Sequence, residues 1–131
     1  MPAISNKSIV DKLFIKPGKS VALIDAPTAY EKHIRKLAPE AKISTEESGS
    51  FDIIQVFVGS AAELQQKLPA LKKILNSDGA VWVSYYKGTS KTKTDINRDR
   101  IAEYASSIGL EGVAIISIDD DWSALRLKVI K

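Results

Sequence analysis

Apolar residues along the 131-residue chain recur at two different spacings, and these spacings predict alternating helices and strands. Continuous apolar runs lie at Val21–Ile24, Phe51–Val58 and Ala80–Tyr86, which is the pattern of strands covered on both faces. Apolar residues at helical spacing occupy four further segments, namely Ser8–Phe14 and those that begin after Pro27, Ser60 and Asn97.

Two apolar segments at the end of the chain, Val113–Ile118 and Ala124–Ile130, flank three acidic residues and predict an antiparallel hairpin. Ala41–Thr45 is a weaker strand and completes a set of six. Buried strands that alternate with helices favour a mainly parallel sheet with helices on both faces. The predicted fold class is therefore α/β, a three-layer sandwich with a six-stranded, mostly parallel sheet and a terminal antiparallel hairpin.

Several residues mark helix boundaries. Pro27 suits the first position of a helix, and Asn97 suits the residue before one. Ser60 and Glu63 have the spacing of a capping box, in which each side chain bonds the other's backbone. Pro69 interrupts the helix that follows and is expected to kink it, and Gly109 is placed to end the next helix.

The length and composition fit one domain over residues 1–131. The chain has no cysteine and one histidine, His33, which excludes disulfides, thiol catalysis and multi-histidine metal sites. His33 is expected to be partly buried or to lie at the boundary of its helix's apolar stripe, rather than to be catalytic. No apolar run approaches the roughly 20 residues of a membrane helix, so we expect a cytoplasmic protein with no membrane partner.

A family resemblance rests on the order of several short motifs. Phe51–Ile54, a helix ending at Leu75 and Asp78–Val83 resemble the central part of class I S-adenosylmethionine-dependent methyltransferases. Ile15–Gly18 and Trp122–Leu127 extend the likeness to a family of small, mostly bacterial domains of unknown function that are built like shortened methyltransferases. The resemblance covers residues 9–130. It implies a Rossmann-like, methyltransferase-like fold and no established activity.

The chain departs from true methyltransferases at the turn after the first strand. In those enzymes this turn is glycine-rich and its backbone approaches the cofactor closely, whereas here residues 25–29 contain no glycine. One strand-helix unit is also missing before Phe51. S-adenosylmethionine or a nucleotide is therefore disfavoured as cofactor, and no catalytic residue is carried over.

Ligands of doubly wound sheets bind beyond the carboxyl ends of the strands, where the strand order reverses. This rule places a candidate cofactor-binding crevice at Asp25, Thr28, Ser60 and Tyr85. Two of these residues have a structural alternative, since Asp25 can cap a helix and Ser60 is better explained as a cap than as a nucleophile.

The net positive charge comes from residues 87–100, which contain five basic and two acidic residues. The rest of the chain has equal numbers of basic and acidic residues. Lys87, Lys91 and Lys93 form a candidate anion-binding loop with neighbouring hydroxyl residues. The alternative is a solvated loop whose lysines aid solubility. Nucleic acid is a disfavoured partner, because it would require more basic residues with interleaved aromatic ones.

The acidic run at residues 119–121 is interpreted as a hairpin turn rather than a metal site. Trp122 is expected to pack at the base of this hairpin, and Arg126 to pair with one of the acids.

The favoured hypothesis is a non-catalytic, methyltransferase-like domain that binds a small ligand or a protein partner. One alternative is an enzyme with an altered nucleotide or S-adenosylmethionine-type site, and another is anion or nucleic-acid binding through residues 87–100. A small anionic ligand and a homo-oligomer are the partners considered.

Overall fold

The computed structural model describes residues 9–88 and 94–130, and its elements follow the predicted order. They are α1 (Ile9–Lys12), β1 (Ser20–Ile24), α2 (Thr28–Leu37), β2 (Lys42–Ser44), β3 (Phe51–Phe57), α3 (Ala61–Lys73), β4 (Leu75–Tyr86), α4 (Arg98–Ser107), β5 (Leu110–Ser117) and β6 (Trp122–Val129). Among these residues no helix is long and apolar enough to cross a bilayer.

The six strands form one mixed sheet in the order β2-β1-β3-β4-β6-β5. The pairs β1–β2, β1–β3 and β3–β4 are parallel, and β6 is antiparallel to both of its neighbours. The α/β class, the mostly parallel sheet and the terminal hairpin are thus confirmed. The strand order reverses at β1, which has β2 on one side and β3 on the other, so the switch point lies between β1 and β3.

Two hydrophobic cores, one on each face of the sheet, explain the continuous apolar runs. Ala22 and Ile24 pack in the core that contains the apolar residues of α3 and α4. Val21 and Leu23 point the other way, into the core that contains those of α1 and α2. Because successive strand residues face opposite sides, a strand between two helix layers needs apolar residues at every position.

The largest difference from the predicted elements is the start of β4, which begins at Leu75 rather than Ala80. Residues 76–79, whose composition is typical of a turn, lie inside this strand, where the register with β3 shifts. Asn76 donates a hydrogen bond of 2.8 Å from Nδ2 to Oδ1 of Asp52. A Cβ atom at Gly79 would lie 2.6 Å from the carbonyl oxygen of Asp52, so only glycine fits this approach.

Helix α3 continues through Pro69. Proline has no N–H, so the carbonyl of Gln65, four residues earlier, lacks its helical donor. The hydroxyl of Tyr104 in α4 donates to that carbonyl oxygen at 3.4 Å. The proline therefore leaves an acceptor that the neighbouring helix uses.

The helix ends confirm most of the predicted caps. The side chain of Asn97 accepts a hydrogen bond from the backbone N–H of Arg100 at 3.0 Å, and Gly109 adopts φ 87° after Ile108, which caps the end of α4. Pro27 lies one position earlier than predicted, because it precedes α2 rather than opening it. His33 is exposed rather than at the boundary of the apolar stripe.

The acidic turn is shaped by Asp119, whose Oδ1 accepts backbone N–H bonds from Asp121 and Trp122 at 2.8 and 2.9 Å. The prediction that Arg126 pairs with one of these acids is wrong. Its guanidinium lies 4.6 Å from the centre of the Phe14 ring, on the α1 side of the sheet. Arg126 is in register with Trp82 in the middle of β4, too far along the strand to reach the turn.

Candidate functional site

The predicted crevice residues lie along the carboxyl edge of the sheet. Asp25 comes directly after β1, Ser60 lies between β3 and α3, and Tyr85 is the next-to-last residue of β4. Tyr85 packs in the core on the α3 and α4 side, whereas Thr28 opens α2 on the opposite face. The structure therefore brings Asp25 and Ser60 to the ends of neighbouring strands, but places Thr28 and Tyr85 on opposite faces.

Asp25 adopts φ 58°, a left-handed conformation that aspartate tolerates better than most residues. Its Oδ2 lies 3.5 Å from Nζ of Lys67 in α3, and the same Nζ lies 2.8 Å from Oε2 of Glu47, beyond β2. The hydrogen bond with Glu47, together with the negative charges of Asp25 and Glu47, raises the pKa of Lys67 and keeps it charged. We call these three residues the switch-point bridge.

The alternative role predicted for Asp25, capping of α2, is wrong. The residue at the cap position is Pro27, and no side chain makes a cap hydrogen bond there. Proline holds the turn in an extended conformation before α2 without offering an N–H. Asp25 therefore serves the ion pair that crosses from β1 to α3.

The start of α3 has its backbone donors occupied by side chains of this chain. Oγ of Ser60 accepts from the N–H of Glu63 at 3.2 Å, which confirms the predicted cap. Oδ1 of Asp95 accepts from the N–H of Ala61 at 2.8 Å. The carboxylate of Glu63 accepts from the N–H of Gly59 at 3.2 Å, one residue before the position that a capping box uses. The carboxylates of Asp95 and Glu63 therefore offset the partial positive charge at the start of α3.

Two adjoining cavities open at the end of β4 and share Tyr85, Gly88 and Asn97. Their volumes are about 290 and 340 Å³. We call them together the β4 cavity. Its other lining residues are Tyr86, Lys87, Thr94, Ile96, Arg98, Asp99 and Ile115.

The polar groups of the β4 cavity are fixed by contacts within the chain. Burial raises the pKa of Tyr85, a residue with 6% of its surface exposed. Nζ of Lys87 donates to Oγ of Ser117 at 2.6 Å, and Oγ1 of Thr94 donates to the carbonyl of Gly59 at 2.7 Å. Lys91 and Lys93 lie outside the described residues.

A buried polar chain near the switch point was missed by the sequence analysis. The hydroxyl of Tyr30 donates to Oε1 of Gln55 at 2.7 Å, and Nε2 of Gln55 donates to Oγ of Ser84 at 2.9 Å. Gln55 and Ser84 have no exposed surface. The available signal was a glutamine inside an apolar strand, since a buried amide requires partners.

A row of aromatic rings continues from Tyr30 along the same edge. Phe57 lies edge-on to Tyr30 and to Trp122, with ring centroids 5.0 Å apart in both pairs. Trp122 stacks on Tyr86 at 4.0 Å. The predicted place of Trp122 at the hairpin base is confirmed.

Among the described residues, no three histidine, aspartate or glutamate side chains are grouped as metal ligands would be.

Comparisons with solved structures identify the architecture. The ribosomal protein L11 methylase of Lactobacillus delbrueckii subsp. bulgaricus is 15% identical, with a TM-score of 0.57 over 93% of this chain and 75% of that one. A TehB-like S-adenosylmethionine-dependent methyltransferase of Corynebacterium glutamicum is 12% identical, with a TM-score of 0.57 over 92% and 85%. The chain has a methyltransferase-like fold.

The same fold is found in CalO1, a methyltransferase in calicheamicin biosynthesis, in a form with bound S-adenosylhomocysteine. That protein is 8% identical, with a TM-score of 0.70 over 92% of this chain and 52% of its own. No family model and no curated protein matches the chain. The resemblance stated from the sequence is confirmed for the fold. Sequence identities this low support no conclusion beyond the fold.

Proposed function

We propose that this chain is a non-catalytic, methyltransferase-like domain that binds a small anionic ligand in the β4 cavity. The observation that carries the non-catalytic part of the proposal is the switch-point bridge. Lys67 reaches from α3 to Asp25 and Glu47, across the place where open α/β sheets bind their ligands.

The backbone at the switch point also argues against a nucleotide-like cofactor there. A turn that cradles a cofactor needs bare backbone N–H groups, which glycine provides. Here Asp25 and Pro27 stand in the turn, and the N–H groups at the start of α3 already bond Ser60 and Asp95. A nucleotide-like cofactor at the switch point would have to displace contacts that the chain makes with itself.

The β4 cavity offers a better place for a small ligand. Its larger part, about 340 Å³, is within the range of about 300–1,000 Å³ typical of small-molecule sites. Nε of Arg98 lies 3.6 Å from Oδ1 of Asp99, so Lys87 supplies the excess positive charge of the lining. The hydroxyl of Tyr85 and the side chain of Asn97 add polar groups, so a compact anion fits the chemistry of the lining.

The non-catalytic part is tested by calorimetric titration with S-adenosylmethionine and S-adenosylhomocysteine, with a radiolabelled methyl-transfer assay on the same preparation. We expect no micromolar binding and no transfer. Micromolar binding accompanied by methyl transfer to any acceptor would establish the enzyme alternative in its place.

The anion site is tested with adenosine monophosphate and inorganic phosphate as probes. We expect binding that weakens with added salt, and that falls at least fivefold in Lys87→Gln. Lys42→Gln, an exposed lysine on the opposite sheet edge, is the matched control and should bind as the parent does. No binding by the parent chain, or equal loss in both variants, would contradict the proposal.

A further inference from the structure

Two buried N–H donors on the α1 side of the sheet have no acceptor among the described residues. They are Nε1 of Trp82 in β4 and Nε of Arg126 in β6. The two residues are in register on neighbouring strands, and the guanidinium carbon of Arg126 lies 6.0 Å from the centre of the Trp82 ring. Buried donors normally have partners, because a desolvated N–H without an acceptor costs stability. The pair therefore indicates an acceptor from outside the described residues.

The charge of Arg126 narrows the kind of acceptor. Among the described residues, no carboxylate lies within 4.0 Å of its guanidinium. Water accepts hydrogen bonds but brings no negative charge to a partly buried cation. A carboxylate brings the charge as well, and its two oxygens match the parallel N–H groups that a guanidinium presents along one edge. The chemistry thus favours a carboxylate over a neutral acceptor.

Phe14 covers the guanidinium from the α1 side. Its ring centre lies 4.6 Å from the guanidinium carbon of Arg126. Phe14 adopts φ 61° after α1, and its N–H donates to the carbonyl of Asp11. The N–H of Ile15 donates to the carbonyl of Val10, which completes a helix-ending motif that usually has glycine at this position. A left-handed phenylalanine is strained, so the chain keeps an unfavourable backbone conformation at the residue whose ring covers Arg126.

The surroundings of Arg126 toward β5 are open and apolar. Its partner in β5 is Ala114, which is exposed and has a small side chain on the same face of the sheet. Phe14 is 47% exposed, so rotation of its side chain can open the guanidinium edge. We propose that Arg126 and Trp82 bind the carboxylate of a small apolar monocarboxylic acid, whose apolar part lies between Phe14 and Ala114. We call these four residues the Arg126 site.

Nuclear magnetic resonance of the ¹⁵N-labelled full chain tests the proposal with benzoate as the probe. The chain has two tryptophans, so its spectrum has two indole N–H signals, and Trp122→Phe identifies the signal of Trp82. We expect benzoate to move the Trp82 signal, with a dissociation constant of about 1 mM for so small a ligand. Benzamide has the same shape without the charge, and it should move the signal much less.

Substitutions then locate the binding. Arg126→Gln should weaken benzoate binding about tenfold or more, because it removes charge-assisted hydrogen bonds. Arg126→Lys keeps the charge without the parallel donors and should weaken binding less. Arg100→Gln is the matched control, an exposed arginine of α4 on the opposite face, and should bind as the parent does. Circular dichroism will check that each variant is folded.

This inference does not depend on the ligand proposed for the β4 cavity, so Lys87→Gln should leave the response of Trp82 unchanged. A Trp82 signal that does not move in about 20 mM benzoate would overturn the proposal. Equal responses to benzoate and benzamide would do the same. So would a full response in Arg126→Gln, or an equal loss in Arg100→Gln.

Discussion

The hydroxyl of Tyr30 donates a hydrogen bond of 2.7 Å to Oε1 of Gln55, an amide with no exposed surface in the middle of β3. Tyr30→Phe would leave this buried acceptor without its donor, which costs roughly 1–3 kcal/mol of stability. Urea unfolding measures the loss. Tyr104→Phe is the control, since its longer bond of 3.4 Å is at the surface and its removal should cost less than that of Tyr30→Phe. Equal costs would contradict the role given to Gln55.

The same hydroxyl predicts a pH dependence. Burial raises the pKa of Tyr30 above the value of about 10 that it has in an unfolded chain. Above pH 10 the unfolded chain releases this proton while the folded chain retains it, so stability is intact below pH 10 and falls as the pH rises. Tyr30→Phe should flatten the decline in unfolding free energy between pH 9.5 and 11. An unchanged slope would show that Tyr30 does not contribute.

Asp52 predicts the opposite dependence at acid pH. Its carboxylate accepts hydrogen bonds from the backbone N–H of Ser20 and the side chain of Asn76, and these bonds lower its pKa. Its stabilising effect is therefore present above about pH 4 and is lost as the pH falls further. Asp52→Asn should cost roughly 1 kcal/mol at pH 7, allowing for solvent screening, and little at pH 2.5.

Chemical unfolding at pH 7 and pH 2.5 measures both values for Asp52→Asn. Asp120→Asn, in the exposed turn, is the control and should match the parent at pH 7. A cost for Asp52→Asn that is the same at both pH values would mean that its charge is not what stabilises the β1–β3–β4 junction.

The order of elements was predictable from the sequence because the strands in the middle of the sheet must be apolar on both faces, as Val21–Ile24 shows. Helix starts were predictable where one side chain supplies the bond, as at Ser60 and Asn97. The start of β4 was not. Residues 76–79 have the composition of a turn, and contacts with residues distant in sequence, such as the bonds of Asn76 with Asp52 and of the Asp78 carbonyl with Lys128, hold them in the strand.

The candidate site was predictable as a location but not as a set of contacts. The rule of the switch point led to Asp25 and Ser60, which do lie at the strand ends. Lys67 was missed, because it joins Asp25 and Glu47 from 42 and 20 positions away and no local spacing encodes such a bridge. The same limit explains Arg126, which contacts the ring of Phe14 rather than an acid of the turn that precedes β6.

The left-handed turn at Asp25 predicts a difference between two substitutions. Asp25→Ala removes the ion pair with Lys67 and keeps a β-carbon at φ 58°, whereas Asp25→Gly removes both the pair and the backbone strain. The pair is half exposed and contributes about 0–1 kcal/mol, while glycine relieves about 1 kcal/mol. Asp25→Gly should therefore be more stable than Asp25→Ala by about 1 kcal/mol in urea unfolding. Equal stability of the two variants would mean that the turn relaxes to another conformation.

Pro69 and Tyr104 should be energetically coupled. Pro69→Ala restores an N–H to α3, and that N–H can donate to the carbonyl of Gln65 that Tyr104 now uses. The gain in helix stability exceeds the greater freedom of the unfolded chain, so we expect a net stabilisation of about 1–2 kcal/mol. Tyr104→Phe should then cost less in the Pro69→Ala background than in the parent, because the carbonyl has a helical donor. A double-mutant cycle by urea unfolding measures this coupling. Costs of Tyr104→Phe that are equal in both backgrounds would show that the freed carbonyl is satisfied by solvent rather than by α4.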